Sequence, residues 1–118
     1  LMKRKYARAQ IDYLAAKEQF LAASQQADKK LNDMRQDGAE IGQKEMEDAI
    51  ERSGFHKAFN ELRQAENRLI EWSHFTIKNE GEFKENKAAF EKLYNEVKTK
   101  PEARAVLVDM AMRLEAEA

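Results

Sequence analysis

Large and small apolar residues recur every seven positions along the first third of the chain. Tyr6, Tyr13, Phe20, Ala27 and Met34 lie one heptad apart, and Ala9, Ala16 and Ala23 follow the first three by three residues. An α-helix completes a turn in ~3.6 residues, so these positions form a single seam in which rings alternate with methyl groups. A seam of this kind lies against another helix. It predicts a continuous first helix over about residues 2–35, roughly 50 Å long at ~1.5 Å per residue.

Ile11, Leu14 and Leu21 flank the seam and widen its apolar stripe. They predict that the first helix touches two neighbours over residues 11–21, with this flank as the docking site for helices from later in the chain. Beyond Phe20 the stripe thins to Ala27, Leu31 and Met34, so that end is expected to be less well buried.

The remaining pattern is helical as well. Asp37-Gly38 is a turn signal, with Gly38 suited to the left-handed residue that closes a helix. A second stretch starts near Gln43, with Met46, Ala49 and Ile50 on one face, and Ser53-Gly54 predicts a break or kink. Phe55, Ala58, Phe59, Leu62, Ala65, Leu69, Trp72 and Thr76 then follow three-four spacing. Antiparallel pairing through Gly38 sets opposite one another residues whose numbers sum to about 78. Trp72 then faces Tyr6, Ala65 faces Tyr13, and Ala58 with Phe59 faces Phe20. Asn79 and Glu82 have capping-box spacing, and Phe83, Phe90 and Val97 mark a fourth helix with Ala89, Leu93 and Tyr94 between them. Thr99-Lys100-Pro101-Glu102 combines a second box with a first-turn proline. A fifth helix follows through Ala103, Val106, Leu107, Met110, Ala111 and Leu114, and Glu115 to Ala118 should fray. Ile77 and Met112 lie off the main stripes.

Composition agrees: 36% of residues are charged, 42% are hydrophobic, and there are only four Gly and one Pro. Such a chain makes long helices rather than a sheet. The expected fold is all-α. A long antiparallel helical hairpin (about 2–35 against about 43–79, broken or kinked near Gly54) carries two shorter C-terminal helices (about 82–98 and 101–115). At 118 residues the chain reads as a single helical domain, 1–118.

The same residues exclude much chemistry. With no Cys there is neither a disulfide nor a thiolate metal site. No Gly-x-Ser-x-Gly elbow and no Gly-rich phosphate loop occurs, since the glycines at 38, 42, 54 and 81 are isolated. Glu71-Trp72-Ser73-His74 has the Glu-x-x-His spacing of di-iron bundles, but the second such motif is missing because Ser53 precedes His56 by three. On a continuous helix His56 and His74 would stand roughly 27 Å apart, too far to share a metal. No enzymatic activity, catalytic residue, cofactor, metal or small-molecule substrate is expected.

A net charge of −1 gives no global attraction to nucleic acid or membrane. Locally the balance shifts: residues 1–36 hold eight Lys/Arg against four Asp/Glu, and residues 37–54 hold two against six. Lys3, Arg4, Lys5 and Arg8 form the one candidate contact for an anion or an acidic partner. No apolar run approaches the ~20 residues that span a bilayer, and no secretory leader follows the basic start. Cytoplasmic location is the default expectation, with the chain's leading Leu1 leaving its true N-terminus open. The leading functional expectation is an interaction or assembly protein, adaptor- or chaperone-like, that offers helical faces to a protein partner or to a second copy. The alternative is a nucleic-acid-associated regulator using the basic end of the first helix, followed by a helical metalloprotein around Glu71 and His74.

Overall fold

Gly38 closes the first helix as its sequence position requires. Helix α1 runs Met2–Gln36, and Gly38 beyond it has φ +73°, a conformation open to glycine and strained for side chains with a Cβ. Its amide donates to the carbonyl of Arg35 at 3.2 Å, satisfying a group that every helix end leaves without an internal partner. Helix α2 occupies Gln43–Arg52 and α3 Phe55–Glu80. Between them Gly54 takes φ +81° and donates to the carbonyl of Glu51. The Ser53-Gly54 interruption is therefore a break. Helix α4 spans Lys84–Glu96 and α5 spans Ala103–Arg113.

The structure is a computed structural model that describes residues 2–36, 38, 40, 42–80 and 84–114. Among the described residues the architecture is all-α, with five helices in which α1 packs against α3 and the shorter C-terminal helices. The predicted positions Asp37, Ile41, Phe83 and Glu115 to Ala118 lie outside the described residues, as does the Asn79–Glu82 capping box.

The capping box before α5 does not form. Thr99 Oγ1 donates back to the carbonyl of Glu96 at 3.3 Å. The amides of Ala103 and Arg104 bond instead to the carbonyls of Lys100 and Pro101, at 3.0 and 3.1 Å. Glu102 is already helical and makes no side-chain cap. Backbone turns starting at Lys100 and Pro101 serve the donors the box would have served, and regular α5 begins at Ala103.

Contacts divide the chain into two compact units, residues 1–13 with 65–118 and residues 14–64. The first unit holds the large-side-chain core. Tyr6, Leu69, Ile70, Ile77, Phe90, Leu107, Val108 and Leu114 are buried there, with Leu69, Phe90 and Leu107 at 0% exposure. At ~25 cal/mol per Å² of apolar surface, burial of each such side chain contributes about 1.5–3 kcal/mol. Ile77, off the predicted stripe, is inside; Val106 and Ala89, assigned to stripes, are exposed. The buried face of α5 is drawn by Ala103, Leu107, Val108, Ala111 and Leu114, so Val106 falls on the opposite side. Arg104 joins α5 to α3 through an ion pair with Glu66 at 3.0 Å, with both side chains largely buried.

The α1 face that receives α5 is also not the predicted one. Tyr6 donates to the carbonyl of Ala111, and Gln10 Nε2 donates to the carbonyls of Ala111 and Met112 at 3.3 Å. Ile11 remains 58% exposed. Polar reach accompanies this placement: Tyr6 and Gln10 can donate to the carbonyls of Ala111 and Met112, and Ile11 cannot.

In the second unit the buried described residues are all alanines: Ala23, Ala27, Ala49 and Ala58. Phe20 packs tilted against Phe55 (5.3 Å between centroids) and Phe59 (5.9 Å). The expected register is thus met at Phe59, although Phe20 meets two rings there instead of a ring and a methyl. Leu14 and Leu21, predicted to be covered, are exposed, and Leu31 and Met34 are half-buried.

Candidate functional site

The first unit brings the basic residues of α1 against an aromatic face of α3. Arg4 and Lys5 are adjacent in one turn of α1, and Arg8 follows them by four and three residues, one turn on along the same side. Across from them α3 presents Arg68 and Trp72 at i and i+4, with Phe75 at i+7 beside the Trp72 ring. An open cleft of about 400 Å³ lies between, lined by Arg4, Lys5, Arg8 and Asp12 from α1 and by Arg68 and Trp72 from α3. That volume is within the range of small-ligand clefts, about 300–1,000 Å³. Lys3 is the fourth residue of the predicted cluster, and its side chain lies outside those described.

Lys5 Nζ sits 4.8 Å from the centroid of Trp72. At an exposed site such a contact contributes about 0.5–1 kcal/mol, so the ammonium is easily displaced from the ring. Trp72 is half-buried and meets Phe75 edge-on at 6.0 Å. Arg8 pairs with Asp12 at 3.2 Å, with the Arg8 side chain 74% exposed. Among the described residues no carboxylate pairs with Arg4, Lys5 or Arg68. Four cations and one carboxylate therefore surround the cleft, and their mutual repulsion falls when an anion enters.

Trp72 packs, half-buried, at the edge of the core as expected, but not opposite the residue the pairing predicts. The pairing rule sets Tyr6 opposite it, but Tyr6 turns inward to α5, and the ring meets Lys5 instead. Arg68 and Phe75 went unrecognised in the sequence. The signal was available: continuing the antiparallel pairing places Arg68 near Arg8, a like-charge juxtaposition that internal packing does not explain.

The Glu71/His74 pair is engaged otherwise. Tyr94 Oη donates to both carboxylate oxygens of Glu71, at 2.8 and 3.1 Å. His74 stacks on the Tyr94 ring, with centroids 4.0 Å apart and planes 2° from parallel. The bond to Glu71, together with desolvation, raises the Tyr94 hydroxyl above its ordinary pKa, since a phenolate would face a carboxylate. Among the described residues no group of three His, Cys, Asp or Glu is placed to hold a metal ion. His56 is exposed in the second unit, edge-on to Phe55. Among the described residues no helix is long and apolar enough to cross a membrane.

No known family, curated protein or solved structure matches this chain.

Proposed function

We propose that this protein is a non-enzymatic helical interaction module whose second unit, residues 14–64, docks on a protein partner or a second copy. The observation that carries this reading is the poverty of that unit's own core. Among its described residues only alanines are buried, while Leu14, Leu21 and Phe59 are 52%, 51% and 38% exposed. A unit of this size buries too little surface to be comfortably stable by itself. Leu14 and Leu21 stand one heptad apart on α1, two turns along the same face. That is the spacing of side chains that enter the groove of another helix.

Light scattering at two protein concentrations, with melting temperature followed at both, tests the reading. Self-association gives a mass and a melting temperature that rise with concentration. Leu14→Glu with Leu21→Glu should abolish that rise while leaving the helical circular dichroism in place. A strict monomer that also fails to bind an apolar dye would overturn the proposal. Docking through apolar faces should survive ~0.5 M salt, whereas phosphate contacts at the basic end of α1 would weaken steeply.

A further inference from the structure

We infer that the cleft between α1 and α3 in the first unit is a binding site for single-stranded nucleic acid. Arg4, Lys5, Arg8 and Arg68 would contact phosphates, and Trp72, with Phe75 beside it, would stack an unpaired base. The proposal involves no residue of the second unit, so it stands or falls separately from the apolar docking surface.

Three features converge on this ligand. The first is charge: cations from two helices crowd one cleft on a chain whose net charge is only −1. Among the described residues, Asp12 is the single carboxylate lining it, and it is engaged by Arg8. The second is the ring. Trp72 packs against the core and Phe75 on one side, and where it lines the cleft its ring carries the ammonium of Lys5 at 4.8 Å. When a phosphate arrives, Lys5 swings to it and vacates the π-face for a base. Cations tracking a backbone beside a ring that accepts any base are the recurring parts of single-strand recognition. The third is size. A cleft of about 400 Å³ accepts a nucleotide, while a duplex buries its base faces in its own stack and offers Trp72 nothing to stack on. An acidic peptide would satisfy the cations and leave the ring unused.

Trp72 is the only tryptophan in the chain, so its fluorescence reports on the site directly. A short oligothymidylate, titrated into the full chain at low salt, should quench Trp72 with a Kd in the micromolar range, on the order of 10⁻⁶–10⁻⁴ M. With about three phosphates neutralised, log K should fall against log salt with a slope of about −2. Arg68→Glu, at an exposed position, should weaken binding at least ~10-fold while circular dichroism stays unchanged. Followed by anisotropy of a labelled strand, Trp72→Phe should keep most of the affinity and Trp72→Ala should lose about 10-fold, the stacking contribution of one base. Undiminished binding by Arg68→Glu or by Trp72→Ala would overturn the proposal. So would a duplex or a polyglutamate peptide that binds as tightly as the single strand, or the absence of any quenching at low salt.

Discussion

Tyr6 and Ala111 are joined by a hydrogen bond across most of the chain's length: the buried hydroxyl at the start of α1 donates to a carbonyl in the last turn of α5. Gln10, one turn on, donates to the Tyr6 hydroxyl oxygen at 2.7 Å and to the carbonyls of Ala111 and Met112. Two α1 side chains thus share a cap on the last turn of α5. Tyr6→Phe should destabilise the protein by about 1–3 kcal/mol, the cost of stranding a buried polar group. Because the two donors share a carbonyl and bond each other, a double-mutant cycle with Gln10→Ala should show a coupling of at least ~0.5 kcal/mol. Additive losses in urea unfolding would contradict the shared cap.

Neighbouring residues on α5 should differ sharply in their cost. Leu107 is fully buried and Val106 is 53% exposed. Leu107→Ala removes transfer energy and leaves a cavity, for an expected loss of about 2–5 kcal/mol. Val106→Ala should stay within about 0.5 kcal/mol of the parent. Urea midpoints of the two variants measure the contrast, which reverses if α5 is rotated.

Ser73 supplies a stabilising substitution. Its side chain is fully buried, and its hydroxyl finds no hydrogen-bond partner among the described residues. A buried hydroxyl without a partner costs about 1–3 kcal/mol, and alanine is also the better helix former. Ser73→Ala should raise the urea midpoint by the equivalent of about 1 kcal/mol with an unchanged slope. The neighbouring Thr76, whose hydroxyl donates to the carbonyl of Trp72 at 2.7 Å, should gain nothing from the same treatment.

Alkaline stability should depend on Tyr94. The Glu71 bond, the largest cause, raises its hydroxyl pKa above the ordinary 10.0. Tyr13 is raised as well, first by burial and then by Glu66 and Asp109. A raised folded-state pKa means that the native protein keeps its proton after the unfolded chain has lost it. The stabilisation is therefore complete below pH ~10 and fades as pH rises through the folded-state value. Phenolate absorbance should show Tyr94 titrating late, and Tyr94→Phe should make stability less sensitive to pH above 10. A normal titration in the folded protein would remove the Glu71 contact.

Much of the helical layout was legible locally. Heptad spacing from Tyr6 to Met34 marked α1, Gly38 and Ser53-Gly54 marked its end and the next break, and the pairing through Gly38 placed Phe20 against Phe59. The candidate cleft was legible only in part. Arg4, Lys5 and Arg8 stood out as neighbours in sequence, whereas Arg68 and Trp72 reach them from α3, about sixty residues on. Periodicity tells which residues share a face of one helix. It does not tell which of two apolar faces the next helix will choose.

That choice separates what the residues determined alone from what the tertiary structure decided. Backbone hydrogen bonding within each helix is local, and glycine's freedom at φ +73° and +81° is a property of glycine itself, so class, order and breaks followed from the sequence. The position of α5 did not. Hydrophobic spacing favoured Ile11, Leu14 and Leu21, but apolar burial is non-directional and would have been served by either face. The observed placement adds a directional interaction: Tyr6 and Gln10 donate to the carbonyls of Ala111 and Met112. With α5 held there, Tyr6 turned inward while Lys5 took its place over Trp72.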